Sequence, residues 1–442
     1  MFRFSTRFVF VIGLVLLAPG VALQQPSAQA PAAGGATALT GVRIIDGTGR
    51  APIEQGTIVI ANGKIVAAGP ASAVQIPAGA TRVDLAGKTV IPGLINTHAH
   101  VQNLTTSMAA REDLIRRLRM YANYGVTTAV SLGQVNLPET DEVLRLRDEQ
   151  DSIALDRARV YTAGPSIRNK KSPEETRQNV NEYADRKVDR IKTHVAANMS
   201  AESYNALVDQ AHKRGLRAYA HIFDLKEAEM MVGFNVDVIA HSVRDQEVTS
   251  SFIAELKRKN VGYIPTLTRD LAVIAYEQTP TFFKDPFFQR GISVYGEHVE
   301  KVSKPEYQAN VRKDPETARI KKALEQAKRN LKLLSDAGVT IGMGTDSGTQ
   351  DGRWQGYFEQ VELEMMVQSG LTPMKAIVAA TGDAAKVSKL DHVGTIAVGK
   401  AADLVVLDAN PLQDILNTRK INSVWIAGRR LATAAPSTAS AR

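Results

Sequence analysis

The chain has 442 residues, of which 44% are hydrophobic and 23% charged, a balance that excludes a mostly disordered or collagen-like protein. It contains no cysteine, which excludes disulfides, thiolate metal ligands and a thiol nucleophile. The net charge of +8 comes from scattered residues rather than from a basic stripe with interleaved aromatic side chains, so no nucleic-acid partner is expected.

The N-terminal segment has the pattern of a secretory signal. Arg3 and Arg7 precede an apolar stretch over 8–23, which small and polar residues follow. This pattern predicts a signal peptide at 1–22, a flexible linker at 23–38, and a periplasmic or secreted mature protein. No later stretch is long and apolar enough to cross a membrane, so no membrane span is expected after cleavage.

Short strands separated by turn dipeptides occupy both ends of the remaining chain. Asn62-Gly63, for example, lies between two β-branched runs and is typical of a hairpin turn. Neither end is long enough to form a hydrophobic core alone. We therefore expect 39–91 and 391–432 to combine into one small β-sandwich domain.

The middle segment, 92–390, alternates short apolar runs with amphipathic helical stretches. The predicted strands are 94–97, 127–131, 159–163, 187–193, 217–220, 236–240, 261–265 and 340–344. Eight strands alternating with helices predict an α/β fold of the (β/α)₈ barrel type. The stretch after Pro265 is long and rich in Phe and Tyr, and we expect a helical insertion or lid there over the active face.

Histidines and one aspartate recur at the ends of these predicted strands. His98 and His100 are two residues apart, a spacing that turns both imidazoles to one side of a strand. His221, His241 and Asp346 each end another predicted strand. Because catalytic groups of a barrel come from the C-terminal ends of several strands, we expect these five side chains to share one metal site.

Lys192 lies late in the fourth predicted strand, where an unpaired ammonium inside a barrel would be costly to bury. Reaction of the amine with CO₂ would give an anionic carbamate that can bridge two metal ions. His194, two residues further on, is expected to contact substrate or to act as an alternative ligand. Arg244 and Arg269 follow the sixth and seventh strands and are candidates to bind a substrate carboxylate.

The motifs in combination resemble those of the amidohydrolase superfamily, in its imidazolonepropionase-like branch of metal-dependent amidases and dipeptidases. The resemblance rests on Pro92-Gly-Leu-Ile-Asn-Thr-His-Ala-His100, on the sequences that lead to His221 and His241, on Gly-Thr-Asp346, and on the Gly399-Lys-Ala-Ala-Asp-Leu tail. It implies a distorted TIM barrel with a urease-like β-sandwich built from both chain ends.

The resemblance also implies the role of each site residue. His98 and His100 would bind the more buried metal ion, His221 and His241 the second, and Lys192 would bridge the two as a carbamate. Asp346 would bind metal and transfer protons. The nitrogen-rich ligands favour two Zn²⁺ ions.

The expected function is therefore hydrolysis of a C–N bond in a small-molecule substrate by a hydroxide that bridges the metals. A dipeptide or an N-acyl amino acid is the favoured substrate. Hydrolysis of a cyclic amide, lactone or phosphotriester, deamination, and a non-catalytic metal-bearing binding protein stay open as alternatives. A homo-oligomer is compatible with the sequence.

Overall fold

The structure, a computed structural model, describes residues 35–104, 108–151, 154–170, 172–195 and 199–431. The predicted signal peptide at 1–22 lies outside the described residues, and so does most of the linker predicted at 23–38. The first strand already begins at Thr37, two residues before the expected start of the sandwich.

Both ends of the chain enter one eight-stranded sheet. Its strands are β1 (Thr37–Ile44), β2 (Ile53–Ala61), β3 (Lys64–Pro70), β4 (Thr81–Asp84), β5 (Thr89–Pro92), β13 (Leu404–Leu407), β14 (Ile421–Ile426) and β15 (Arg429–Arg430). The order is β15-β14-β13-β5-β1-β2-β3, and β4 pairs with β1. The ends are joined where β5 pairs with β13 in antiparallel fashion.

Side chains from the two chain ends share the core of this sheet. Leu39, Ile58 and Ile65 pack in one buried cluster with Leu404 and Trp425. The β2–β3 hairpin turns at Asn62-Gly63, where both residues have positive φ (51° and 75°), the conformation that this dipeptide favours. Neither chain end could bury this cluster alone.

The middle of the chain forms two parallel sheets of a barrel. The three-stranded sheet contains β6 (Leu94–Ala99), β7 (Val126–Ser131) and β8 (Arg159–Thr162). The four-stranded sheet contains β9 (Arg190–His194), β10 (Arg217–His221), β11 (Val238–Ala240) and β12 (Gly262–Ile264). These seven strands overlap the seven predicted between 94 and 265.

Backbone bridges connect the edges of the two sheets. Ile167 pairs with Thr193 beside β8 and β9. At the other edge, the segment 340–347 pairs with Tyr263 of β12 through Ile341 and with Ala99 of β6 through Ser347. The strand predicted at 340–344 is therefore wrong as a regular strand: the segment occupies the eighth position of the barrel through isolated bridges.

The glycines of this eighth segment explain its close packing. A Cβ on Gly344 would lie 2.8 Å from the Cβ of His98 and 2.5 Å from a methyl carbon of Ile264. Only glycine lets the segment approach both neighbouring strands so closely. It thereby carries Asp346 to the end of β6, where the Asp346 N–H donates to the His98 carbonyl at 2.7 Å.

Helices connect the strands and cover the barrel. They are α1 (Ala110–Asn123), α2 (Leu137–Asp148), α3 (Pro173–Asp185), α4 (Ala201–Lys213), α5 (Leu225–Gly233), α6 (Ser250–Arg258), α7 (Leu267–Ile274), α8 (Pro286–Gln289), α9 (Ile292–Ser303), α10 (Pro305–Lys313), α11 (Pro315–Asp336), α12 (Tyr357–Gln368), α13 (Pro373–Ala379) and α14 (Gly382–Ser388). Short 3₁₀ helices lie at Ala275–Glu277, Thr281–Lys284 and Ile415–Arg419. Among the described residues, no helix combines the length and apolar character that a membrane span requires.

The aromatic-rich stretch after Pro265 is helical, as expected, and runs from α7 to α11. Its rings pack on one another and on residues around the start of α12: Phe288 lies edge-on to Trp354 and to Tyr357, with ring centroids 5.3 and 5.1 Å apart. Phe288 and Phe283 are buried. These two rings therefore serve the core rather than the open apolar substrate pocket that an aromatic run could also have formed.

Candidate metal centre

The C-terminal ends of the barrel strands bring the sequence-predicted ligands into one buried cluster. One ligand atom each from His98, His241 and Asp346 lies within 4.8 Å of the other two. His221 joins them, because its ring centroid is 4.2 Å from that of His241. His100 enters through its Nε2, which is 2.8 Å from Asp346 Oδ1.

The hydrogen bonds of His100 fix which ring nitrogen faces the site. Its Nδ1 is 3.1 Å from the Gly133 carbonyl oxygen, which can only accept, so Nδ1 carries a hydrogen. Its Nε2 then faces Asp346 Oδ1 across 2.8 Å. Two lone pairs cannot meet at that distance without a proton or a cation between them.

The His98 ring is buried beside the same carboxylate. Its Nε2 is 3.2 Å from Asp346 Oδ1, and its Nδ1 makes no hydrogen bond to the described residues. Burial, with a further contribution from Lys192, lowers the pKa of His98 to about 3. The ring is therefore neutral and can donate a lone pair to a metal ion.

His241 is held in an uncommon backbone conformation at the end of β11. Its φ is 76°, and that of Thr266, which contacts it, is 49°. Positive φ is costly for a β-branched residue such as Thr266 and is typical of functional sites. The Thr266 hydroxyl lies 2.8 Å from His241 Nδ1, which leaves Nε2 for another partner. Burial, aided by His221 and His98, holds the pKa of His241 well below its usual range.

Lys192 lies within this cluster, on β9. Its side chain is 1% exposed, and no carboxylate of the described residues is within ion-pair distance. Burial, aided by Arg168 and opposed by Asp346, lowers the pKa of Lys192 to about 7. A large fraction of the amine is therefore neutral near pH 7, and only a neutral amine can react with CO₂.

His194 stacks on His221, with ring centroids 4.3 Å apart and ring planes inclined by 27°. The Ser166 hydroxyl lies 2.6 Å from His194 Nδ1. Burial, together with Lys192 and Arg168, lowers the pKa of His194 to about 2. His194 thus lies with the predicted ligands, and its contact with Ser166 is one that no sequence motif indicates.

Two arginines surround the outer oxygen of Asp346. Arg353 pairs through Nη1 with Asp346 Oδ2, and the Nε of Arg269 is 4.0 Å from the same oxygen. Burial raises the pKa of Asp346, but Arg353, His100 and His98 outweigh it and hold that pKa well below its usual range. The carboxylate is therefore ionised. Arg353 was missed by sequence analysis, because it follows Asp346 by seven residues without any motif.

A buried glutamate on α12 supports the Asp346 segment from behind. Glu359 Oε1 accepts hydrogen bonds from Thr345 Oγ1 at 2.8 Å and Ser347 Oγ at 2.7 Å, the two neighbours of Asp346. It also accepts from Asn96 Nδ2 of β6 at 2.5 Å. Asp346 has a φ of 58°, and these bonds hold its strained backbone in place.

The two arginines predicted to bind substrate differ in environment. Arg269 donates from Nη1 to Asp270 Oδ1 at 2.6 Å, and its side chain is 20% exposed beside Asp346. Arg244 is 1% exposed, and its Nε lies 3.3 Å from Asp270 Oδ2. Arg244 is therefore held inside the protein by Asp270 and by the ring of Phe223, 4.3 Å from its guanidinium, whereas Arg269 is partly exposed.

The remaining histidines lie outside the cluster. His212 is exposed on α4, and its Nε2 is 2.9 Å from Asp237 Oδ2. His298 and His392, for which no motif was found, contact Asp351 and Tyr161.

Residues 89–431 match a family model described as "Amidohydrolase family", which covers well over half of the chain. The chain belongs to the amidohydrolase family. This confirms the resemblance indicated by the sequence motifs and identifies the protein as a hydrolase of carbon–nitrogen bonds, in a family that is generally metal-dependent.

Individual amidohydrolases that this chain resembles have different activities. The allantoinase of Streptomyces avermitilis is 34% identical over 122 residues, which cover 28% of this chain and only 26% of that relative. The 5-methylthioadenosine/S-adenosylhomocysteine deaminase of Bacillus cereus is 23% identical, and the match covers 86% of this chain and 89% of the deaminase.

Among solved structures, a candidate prolidase from Bifidobacterium longum is 26% identical, with a TM-score of 0.72. The match covers 90% of this chain and 94% of the other. This likeness confirms the predicted barrel fold.

The residues of the cluster fit a metal site. The imidazoles of His98, His221 and His241 are neutral, because burial lowers their pKa values, and neutral imidazole is the form that binds metal. A cation would separate the lone pairs of His100 Nε2 and Asp346 Oδ1, which face each other across 2.8 Å, and His98 Nε2 lies 3.2 Å from the same oxygen. Nitrogen and carboxylate ligands without sulfur suit Zn²⁺.

Proposed function

We propose that this amidohydrolase is a metal-dependent amidase of dipeptides or N-acyl amino acids. The observation that carries the proposal is the buried cluster in which Lys192 lies among neutral imidazoles and near the ionised Asp346, with no carboxylate of the described residues within ion-pair distance. A structural ion pair does not require a buried lysine, several neutral imidazoles and a carboxylate in one cluster. A site that holds two cations linked by an anion does require such a set of side chains.

His98 and His100 would hold one Zn²⁺ ion, and His221 and His241 the second. Lys192 would link the two as a carbamate formed with CO₂, and Asp346 would contribute a carboxylate oxygen. When bound, the ions supply Lewis-acid polarisation of the substrate carbonyl and lower the pKa of water to about 7 from about 15.7.

Asp346 is the residue placed to move protons. Its Oδ1 faces the ligand imidazoles and its Oδ2 faces Arg353. Arg353 orients this carboxylate, which is ionised near pH 7 and can accept the proton of the attacking water. It would then deliver this proton to the leaving nitrogen, which must be protonated before the amide bond breaks.

Arg269 is our candidate for binding the carboxylate of the substrate. It lies beside Asp346, is partly exposed, and is oriented by Asp270. A guanidinium matches a carboxylate in a bidentate arrangement. Arg244 would act indirectly, because it contacts the opposite oxygen of Asp270.

A substrate library tests the proposal. The purified, zinc-loaded enzyme should release amino acids from Xaa-amino-acid dipeptides and N-acyl amino acids, and chelation of the metal should abolish the release. Cyclic amides, lactones, phosphotriesters and aminopurine nucleosides belong in the same screen. If the enzyme turns over one of these four substrate classes but no dipeptide or N-acyl amino acid, the dipeptide assignment is wrong.

Replacing Arg269 with methionine should selectively lower kcat/KM for substrates that carry a free carboxylate. A charge-assisted contact is worth about 1.5–3 kcal/mol, so kcat/KM should fall roughly 10- to 150-fold for a dipeptide. The matching dipeptide amide should change far less. The control is Arg258→Met, which removes an exposed arginine paired with Glu255 on α6. Equal cleavage of acid and amide by the unmodified enzyme would contradict carboxylate recognition.

We further propose that the mature protein is periplasmic or secreted. The basis is the arginine-flanked apolar run over 8–23. Expressed with its full N-terminus in a bacterial host, the protein should appear in the periplasmic or culture fraction with an intact mass that corresponds to cleavage near residue 22. Full-length protein retained in the cytoplasm would contradict this.

A further inference from the structure

A cavity of about 640 Å³ lies between the loops after β10 and β11 and the face of α11. We propose that it binds a small oxyanion with two negative charges, of which inorganic phosphate is the simplest. The proposal does not depend on amidase activity, since it concerns a cavity whose residues are not among the predicted metal ligands.

The cavity has an excess of positive charge. Its charged lining side chains are Arg244, Arg319, Lys322, Arg329 and a single acid, Asp245. Lys322 has no carboxylate within ion-pair distance among the described residues, and Arg329 donates only to the neutral Gln326. Two cations thus share one cavity without an acidic partner.

At the inner wall of the cavity, two arginine guanidinium groups pack against the ring of Phe223. The guanidinium carbon of Arg244 lies 4.3 Å from the centroid of this ring, and that of Arg319 lies 4.1 Å from it. The Nε of Arg244 lies 3.3 Å from Asp270 Oδ2, whereas its Nη2 is buried without a hydrogen bond to the described residues. An oxyanion would supply acceptors, and guanidinium groups match oxyanions in a bidentate arrangement.

The cavity is coupled to the candidate metal centre by ion pairs. Arg244 contacts Asp270 at 3.3 Å, Asp270 contacts Arg269 at 2.6 Å, and Arg269 Nε is 4.0 Å from Asp346 Oδ2. An anion on Arg244 would compete with Asp270 for that guanidinium. The bound oxyanion could be the charged end of a long substrate or a free anion that acts on the reaction from outside.

Calorimetric titration of the zinc-loaded enzyme with phosphate, at constant ionic strength, tests the site directly. The test protein carries Lys322→Gln and Arg329→Gln. The control carries Lys321→Gln and Lys328→Gln, which change the net charge equally on the same helix but remove lysines paired with Glu277 and Glu325 outside the cavity.

Phosphate should bind to the unmodified enzyme and to the control with similar affinity and at least roughly tenfold more weakly to the test protein. Equal affinity in all three proteins would overturn the proposal, because phosphate would then lie elsewhere, for example on the metals. Since this measurement needs no turnover, failure of the amidase assignment would leave it intact.

Kinetics then distinguish the two sources of the anion. If the cavity holds the acidic end of the substrate, phosphate should raise the KM of an acidic dipeptide, leave its kcat unchanged, and spare the uncharged analogue. If the cavity holds a free anion, phosphate should change the turnover of both substrates. Either effect should be lost in the Lys322→Gln, Arg329→Gln protein and kept in the control.

Discussion

Replacing Lys192 with alanine should remove bound metal and turnover together. The alanine variant cannot form a carbamate, so two ions would lose the anion that links them. Binding of a substrate carbonyl by metal is worth several kcal/mol. With 1.36 kcal/mol for each factor of ten, kcat/KM should fall roughly 10³-fold or more. Metal analysis of the purified protein and the assay on the best dipeptide measure the two losses.

The matched control is Lys187→Ala, which removes an exposed lysine just before the same strand. This variant should keep two metal ions and full activity. The intact mass of the protein without substitutions, measured under native conditions, should include the added mass of one CO₂ from the carbamate. This added mass should disappear in acid and should be absent from Lys192→Ala. A single tightly bound ion in an active Lys192→Ala enzyme would contradict the two-metal site.

The barrel could be predicted because its strands are short apolar runs and because residues such as glycine mark where these runs begin or end. The strand predicted at 127–131 is observed at Val126–Ser131, directly after Gly125 with its φ of 82°. The segment around Gly342 and Gly344 has the same apolar character but forms only isolated bridges. Its geometry depends on how closely β6 and β12 pack against it, which a single sequence does not encode locally.

The cluster could be predicted for a related reason: histidine is rare in this chain, and five of the eight histidines follow strand-like runs. The residues that support the cluster carry no such mark. Arg353 reaches the Asp346 segment from a loop and Glu359 reaches it from a helix, and neither residue stands in a sequence motif that marks it as a neighbour of Asp346. Likewise, the burial of Arg244 depends on its ion pair with Asp270, which lies 26 residues away in sequence. The sequence alone does not show which basic side chain Asp270 contacts.

Replacing Asp346 with asparagine should separate metal binding from proton transfer. The amide keeps an oxygen that can contact a cation, and the Glu359 hydrogen bonds to Thr345 and Ser347 would still hold the segment. A neutral amide, however, cannot accept a proton near pH 7. We therefore expect much of the metal to remain while kcat falls by about 10²–10⁴, the usual contribution of general acid–base catalysis.

The control for this variant is Asp351→Asn, the same change five residues later, where the carboxylate contacts His298 and Lys301 at 2.5 Å. It should leave kcat unchanged. Measuring kcat and metal content on the same preparations decides between the two roles of Asp346. If Asp346→Asn loses metal and activity in proportion, Asp346 acts only as a ligand; if it keeps both metal and near-normal kcat, the proton passes through another group. Proton transfer by the Asp346 carboxylate is supported only if the variant retains its metal while kcat falls by the expected factor.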